Sequence, residues 1–239
     1  MAESPNIERD WVLFLDLDGT LVDLAPTPQE VVVPEDLCPS LRHVRKSLNG
    51  ALAIVSGRAL RDIDRLLPGV MPVAGAEHGA VIRYPDGAIQ EIPALMRPPA
   101  PWIDDLRRAT QEWRGILVEE KSHTVAVHFR LAPERSDAVK DIMTALVRRD
   151  PRGFELLAAH KAFEIRPRGI TKARAVKELM EVAPFKGRVP VYVGDDVTDL
   201  DGMGAARAMG GLGLHVAVEF GGCASNVRAW LKRAATALT

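Results

Sequence analysis

The sequence predicts a doubly wound α/β core, a mostly parallel sheet covered by helices, interrupted by an inserted α+β module. Three observations predict it. Short runs that are apolar throughout alternate with amphipathic helical segments, the pattern of strands buried on both faces. Several of those runs stop on carboxylates or a hydroxyl, where open α/β sheets present their ligand-binding rim. In the middle of the chain, after a proline-rich break, the order changes to helix, strand, strand, helix, strand, strand.

The predicted core strands are "WVLFL" (11–15), "ALAIV" (51–55), "MPVA" (71–74), "VPVYV" (189–193) and "LHVAV" (214–218). Between the first two, "PEDLCPSLRHVRKSLN" places Leu37, Leu41, Val44 and Leu48 on one helical stripe, and "ALRDIDRLLP" and "KARAVKELMEVA" are read the same way. "AVIRYPDGAIQEI", with Pro-Asp-Gly at its turn, predicts a hairpin at the edge of the core. "MRPPAPW" (96–102) reads as a boundary. Beyond it come a helix in "WIDDLRRATQEWRG", strands in "ILVEEK" and "TVAVHFR", a helix opening after Pro133, and strands in "FELLAAH" and "AFEIRP". The expected division is a core of residues 1–97 and 168–239 around a module of residues 98–167.

The bulk composition excludes several classes. With 239 residues, 47% of them hydrophobic and 26% charged, the chain can build a substantial core and does not resemble a disordered one. Lys and Arg number 31 against 32 acidic residues, so the net charge of −1 provides no general attraction to nucleic acid or to an anionic membrane. Cys38 and Cys223 form no CxxC pair, hence no zinc or redox signature. "AESPNIERD" after Met1 does not read as a secretory signal, and a cytoplasmic protein acting as a monomer is expected.

The strand ends carry the chemistry. The first run leads into Asp16 and Asp18, the second into Ser56 within "VSGR", and the fourth into Asp195, Asp196 and Asp199 within "GDDVTD". Lys172 opens the "KARAVKELMEVA" helix. Clustered carboxylates repel one another, and an all-oxygen set suits Mg²⁺, which keeps several waters and commonly shares its site with substrate phosphate. A hydroxyl and an ammonium can grip phosphate oxygens. One carboxylate can attack phosphorus, and a second can protonate the leaving oxygen. "DLDGTLVD" does not fit a calcium loop, because Gly19 is fourth counting from Asp16 and the twelfth position is Thr27. "GGLG" (210–213) is not a dinucleotide fingerprint.

"DLDGT", "SGR", a lysine and "GDDVTD", in that order, resemble the four motifs of the haloacid dehalogenase superfamily of phosphatases. The inserted module resembles the cap that one branch places between the second and third motifs, and the core would be Rossmann-like. More narrowly, "GAEHGA" (75–80), "VEEKSHTVAVHFR" (118–130) and "FEIRPRGITK" (163–172) are similar to the trehalose-6-phosphate phosphatases. The resemblance implies that Asp16 is the nucleophile and a metal ligand. It makes Asp18 the general acid and then the base for water, its backbone carbonyl also meeting the metal. Asp195 would bind Mg²⁺, Asp199 would support it through water or a hydrogen bond, and Asp196 is a weaker candidate. Gly19, Ser56 and Lys172 would hold phosphate. Glu119, Lys121, His128, Arg130 and Glu164 would recognise the sugar, with His78 near the entrance.

Departures from the family pattern are Ala173 after the lysine, Leu200 in "TDLD", and Gly75 where relatives often carry asparagine. They leave the predicted chemistry intact and bear on substrate choice. The remaining histidines, His43, His123, His160 and His215, are read as incidental, and His78 is open to a surface role. The implied substrate is a small sugar phosphate, trehalose 6-phosphate, with sucrose-phosphate or mannosyl-phosphoglycerate types as rivals. From other classes, a phosphate-accepting receiver and a silent sugar-phosphate binding protein remain. The inserted module and Asp18 argue against the receiver, and the intact Asp16 and Asp18 against the silent protein.

Overall fold

The computed structural model describes residues 4–93, 96–159 and 161–237, so His160 lies outside the described residues. The chain divides into two compact units, one of residues 1–25, 31–91 and 171–239, the other of residues 26–30 and 92–170.

In the first unit, β1 (Trp11–Leu15) is buried at every position because it lies between two parallel neighbours and under helices. After α1 (Leu37–Ser47) come β2 (Leu52–Val55), α2 (Leu60–Leu66), β3 (Ala74–Ala76), β4 (Val81–Arg83) and β5 (Ile89–Glu91). The seven-stranded sheet has the order β11-β10-β1-β2-β3-β4-β5, where β10 is Val189–Gly194 and β11 is Leu212–His215. It is parallel from β11 to β3, and β4 and β5 close its edge as the antiparallel hairpin expected there. The hairpin turns at Gly87, whose φ of +87° suits glycine.

Register fixes the rim. Leu15 pairs with Val193 on one side and Ile54 on the other, so the residues that follow these three strands emerge together. The α1 helix buries Leu37, Leu41 and Val44 on one stripe, and its last turn carries Arg45 and Lys46, favourable at the negative end of the helix dipole. It ends where Asn49 and Gly50 take positive φ and the Gly50 N–H closes on the Arg45 carbonyl. Each fully buried Leu or Phe of β1 contributes about 1.5–3 kcal/mol, and Leu13→Ala should cost about 2–5 kcal/mol through the cavity it leaves.

Two strand expectations are corrected. The extended stretch at 71–74 begins later, at Ala74, because the carbonyls of Met71 and Pro72 are occupied by the Arg83 guanidinium rather than by a strand ladder. The run at 214–218 splits: β11 stops at His215 and a short helix, Val216–Glu219, begins. There His215 Nδ1 accepts the Ala217 N–H, so this histidine caps a helix and is not incidental. The C-terminal helix over Ala224–Ala237 carries Val227, Trp230, Leu231 and Ala234 into the core, an element for which the sequence reading had no proposal.

The second unit is an antiparallel four-stranded sheet in the order β6-β7-β9-β8, made of Leu117–Glu120, Val125–His128, Ala162–Pro167 and Phe154–Ala159 respectively. Its helices α3 (Ala100–Thr110) and α4 (Ser136–Val147) pack Trp102, Ile103, Leu106, Val139, Met143 and Leu146 with Val125, Val127 and Ile165. Strand alternation therefore sends Glu119, Ala126, His128 and Glu164 to the opposite face. His123, read as incidental, is fully buried. Among the described residues, no helix is long and apolar enough to cross a membrane.

Candidate active site

The chain leaves β1 and turns at once. The Asp16 N–H still continues the ladder to the Val193 carbonyl at 2.9 Å, and the Gly19 N–H reaches back to the Val22 carbonyl at 2.8 Å. Gly19 has a φ of +74°, and a Cβ placed on it would lie 2.1 Å from Asp195 Oδ2. Only glycine allows that approach. Thr20, fully buried, donates from its hydroxyl to Asp195 Oδ1 at 3.2 Å. The register of the parallel strand ends thus places one carboxylate directly against the backbone of the first loop.

Asp16, Asp195 and Asp199 present carboxylate oxygens that all lie within 4.8 Å of one another. Lys172, the first residue of α5 (Lys172–Leu179), is buried between them. Its Nζ donates to Asp16 Oδ1 at 2.8 Å and to Asp199 Oδ1 at 2.6 Å. Burial, and then the charge of Asp199, push the Asp16 carboxyl well above its ordinary range although Lys172 pulls it down. Burial and Asp199 likewise push Asp195 up to about 6. Burial alone would lower Lys172, but Asp16 and Asp199 outweigh it and raise the ammonium. The site therefore gathers three carboxylates around one ammonium in a poorly solvated place. That excess of negative charge, offered entirely by oxygen donors, fits a hard divalent cation such as Mg²⁺. A hollow of about 370 Å³, lined by Gly19, Asp195, Gly222 and Ser225 among others, opens beside these groups.

Asp199 begins α6 (Asp199–Ala208) and is fully buried. Its Oδ2 accepts the backbone N–H groups of Asp195 and Asp196 at 3.2 and 3.1 Å, and its Oδ1 accepts from Lys172 and from the Tyr192 hydroxyl at 2.7 Å. Burial first, then the charge of Asp199, hold the Tyr192 phenol well above its ordinary range. Asp196 does not join the cluster of three. Its Oδ1 accepts the next backbone N–H, that of Val197, at 2.7 Å.

The Ser56 loop sits beside this cluster. Ser56 is buried, its N–H bonds the Gly75 carbonyl, and its Oγ accepts the Arg58 N–H at 3.2 Å. Arg58 folds over to Asp18 with a fork of two hydrogen bonds, Nε to Oδ2 at 2.6 Å and Nη2 to Oδ1 at 2.7 Å. Arg58 is 8% exposed. It had no role in the sequence reading, although a buried strand ending in Ser-Gly-Arg offered a signal, since arginine is seldom buried unless paired. Thr20 and Tyr192 were also missed, and neither carries a sequence signal of its own.

His78 is not on the surface. It is 5% exposed, with φ of +59° after Glu77 at +47°, and a Cβ on Gly57 would lie 2.6 Å from its Nε2. Two successive non-glycine residues in the left-handed region are strained, and such strain collects at functional sites. Gly75 is explained by packing: a Cβ there would lie 2.5 Å from the Ala175 Cβ, so an asparagine has no room in this chain.

In the second unit the expected sugar-recognising residues are brought together on the polar face of the sheet. His128 Nε2 lies 2.7 Å from Glu119 Oε2, and Lys121 Nζ donates to Glu164 Oε1 at 3.0 Å with both side chains less than a tenth exposed. Burial pushes the Glu119 carboxyl up, but the hydrogen bond with His128 and the charge of Lys121 prevail and hold it below its ordinary range. Arg130 lies past the end of β7, in a turn, half-buried.

Comparison with known proteins gives concordant likenesses. The profile of the family described as trehalose-phosphatase matches residues 14–228. A probable trehalose-phosphate phosphatase of Sinorhizobium fredii is 42% identical over 212 residues, covering 87% of this chain and 78% of that protein. The trehalose-6-phosphate phosphatase of Escherichia coli is 31% identical over 227 residues, covering 90% of this chain and 81% of that protein. Among solved structures, the C-terminal domain of the C. albicans trehalose-6-phosphate phosphatase superposes with a TM-score of 0.80 at 17% identity, covering 98% of this chain and 99% of that one. At that identity the likeness speaks for the fold.

Proposed function

The chain belongs to the trehalose-phosphatase family, and on that premise we propose that it hydrolyses trehalose 6-phosphate to trehalose and inorganic phosphate. The observation that carries this reading is the convergence of Asp16, Asp195 and Asp199 on one another, with Lys172 paired to Asp16 and Asp199, beside Asp18 held by Arg58. A receiver would have no use for that second, separately oriented carboxylate.

Asp16 is the nucleophile. One of its carboxylate oxygens forms a bond to phosphorus while the bond from phosphorus to the sugar oxygen breaks. Both Asp18 oxygens accept from Arg58 in this arrangement, so one must leave the fork and carry a proton before Asp18 can give that proton to the leaving oxygen; Asp18 later takes one from the water that attacks the same phosphorus, breaking the bond to Asp16 and releasing phosphate. Arg58 sets the direction in which Asp18 points. Ser56 and Lys172 are suited to hold phosphate oxygens; the Gly19 N–H, expected to join them, is taken by the Val22 carbonyl. Asp16, Asp195 and the Asp18 carbonyl would hold Mg²⁺, with Asp199 behind them; the chemistry supplied there would be screening of the anionic nucleophile from an anionic substrate.

The polar face of the second unit is suited to choosing the sugar. Glu119, Glu164, Lys121 and His128 supply acceptors and donors for hydroxyl groups. Arg130 and His78 belong to the same proposal with less geometric support. A cytoplasmic monomer suits this reading.

The test is phosphate release from a panel of phosphorylated sugars with Mg²⁺ present. Trehalose 6-phosphate should be turned over far faster than sucrose 6-phosphate, mannosyl-phosphoglycerate or a hexose phosphate. Equal rates across the panel would remove the substrate assignment, and binding without release would make the protein a silent sensor.

A further inference from the structure

The strand β10 is aliphatic except for one phenol. Tyr192 is fully buried, and its hydroxyl meets Asp199 Oδ1 at 2.7 Å, with the Val55 carbonyl farther off at 3.3 Å. A hydroxyl has one proton to give, and the charged, nearer acceptor takes it.

Two glycines make this contact possible. A Cβ on Gly202, three residues into α6 from Asp199, would lie 2.4 Å from Tyr192 Cε2. A Cβ on Gly194, at the end of β10, would lie 2.2 Å from Asp199 Cγ. Gly202 is costly in a helix, by roughly 1 kcal/mol relative to alanine, and it occupies a position where the only space it opens is that taken by the tyrosine ring. The result is a carboxylate with every acceptor site taken: Lys172 and Tyr192 on Oδ1, two backbone N–H groups on Oδ2.

We propose that Tyr192 is a positioning residue for the metal site, fixing Asp199 so that it holds Lys172 against Asp16 and stays behind the ligands instead of among them. This rests on the reading of the carboxylate cluster as a Mg²⁺ site. Without the phenol, one lone pair of Asp199 is released. The carboxylate can then turn toward the cation, Lys172 loses its shared position, and Asp16 is no longer set at one angle. Hydrogen-bond partners that orient metal-binding groups are typically worth about 10- to 100-fold in metal affinity.

The experiment is a Mg²⁺ titration of the full chain, wild type and Tyr192→Phe, read as the rise in melting temperature and by calorimetry, with no substrate present. Tyr192→Phe keeps the ring and should weaken Mg²⁺ binding at least tenfold. At saturating Mg²⁺ its KM for a phosphomonoester should stay within about threefold of wild type, with kcat reduced; uniform binding losses would move KM instead. Gly202→Ala is the second variant. It retains the hydroxyl, improves the helix and displaces the ring, and it should weaken Mg²⁺ binding in the same direction. Mg²⁺ affinity equal to wild type in both variants overturns the role of Tyr192 and leaves the metal reading standing. A wild-type protein that shows no response to Mg²⁺ overturns both.

Discussion

Replacing Gly19 with alanine adds one methyl group at the point where the first loop meets the carboxylate cluster. Two costs can be separated. The backbone there has a φ of +74°, and an L-residue in the left-handed region pays roughly 1–2 kcal/mol. For a chain of 239 residues each kcal/mol lowers the melting temperature by about 2–4 °C, so roughly 2–8 °C in all. The second cost is steric. The new Cβ would lie 2.1 Å from Asp195 Oδ2 and 2.4 Å from Cγ, with an ordinary contact starting near 3.4 Å. Asp195 must therefore retreat by about 1 Å, a displacement that costs on the order of 10²-fold in rate when it misplaces reacting groups. Gly69→Ala is the control, because Gly69 has a φ of +65° with nothing within 4 Å of an added Cβ. Both variants should lose the stability that the backbone cost implies, and Gly19→Ala should lose more because of its steric clash. Only Gly19→Ala should lose phosphate release, measured on a small aryl phosphate across a Mg²⁺ series, and its half-activation should move to higher Mg²⁺. If Gly19→Ala keeps activity within about threefold of Gly69→Ala, Asp195 does not sit at the working site and the cluster has been misread.

Further outcomes are expected from the same geometry. Asp16→Asn should abolish turnover, while Asp18→Asn should slow it by about 10²- to 10⁴-fold, the usual worth of acid–base help; Arg58→Lys, which loses the two-bonded fork, should reproduce part of the Asp18 loss on sugar phosphates and less of it on aryl phosphates, whose leaving groups need little protonation. A pre-steady-state comparison of the two substrates checks this, and equal losses would make Arg58 structural. Lys121→Ala should lower kcat/KM for trehalose 6-phosphate at least 100-fold, well inside the range of about 10⁴–10⁵ open to a site built on hydrogen bonds, and change aryl phosphate hydrolysis little. Because Lys121→Ala also breaks a buried ion pair, a loss typically of about 3–5 kcal/mol, the double variant Lys121→Met/Glu164→Gln should recover part of the melting temperature and not the sugar preference; recovery of both would refute a recognition role. Finally, Asp195 is raised from 3.8 to about 6 in the fold, so between those pH values the folded state holds more protons than the unfolded one. The stability of the metal-free protein should then fall as pH rises from about 4 to 6, less steeply in Asp195→Asn, and added Mg²⁺ should offset the loss increasingly toward neutral pH. Parallel melting profiles for wild type and variant would show that Asp195 titrates normally.

The sequence made the sheet legible where burial is two-sided. Trp11–Leu15, Leu52–Val55 and Val189–Gly194 are apolar because both faces are covered. It was less legible where side chains, and not the ladder, hold the backbone: Arg83 claims the carbonyls before β3, and His215 starts a helix inside an apolar run. Of the candidate site, the carboxylates and Lys172 were visible because each stands directly after a strand or at a helix start. Arg58 and Thr20 were not, because their partners are remote in sequence; Tyr192 lies seven residues from Asp199, but a phenol in an apolar strand reads as core, and the pairing depends on rotamer and burial. The spacing of 40 residues between Arg58 and Asp18, or 175 between Thr20 and Asp195, leaves no periodic trace.

The strand order has a consequence for how the chain is made. β1 is near the start of the sequence but in the interior of the sheet, and one of its edges belongs to β10, residues 189–194. At about 5–20 residues per second of synthesis, that edge waits on the order of 10–35 s for its partner. The second unit, by contrast, makes every strand pairing of its sheet within residues 92–170 and gathers its own apolar cluster there. The ribosome thus releases a module able to settle early, tethered between two halves of a sheet that cannot yet close. Asp16, the proposed nucleophile, emerges well before Lys172, Asp195 and Asp199. A nascent chain cut short before residue 189 has Asp16 and Lys172 but no β10 to carry Asp195 and Asp199 to them, so translation must pass β10 and the start of α6 before the carboxylate cluster exists.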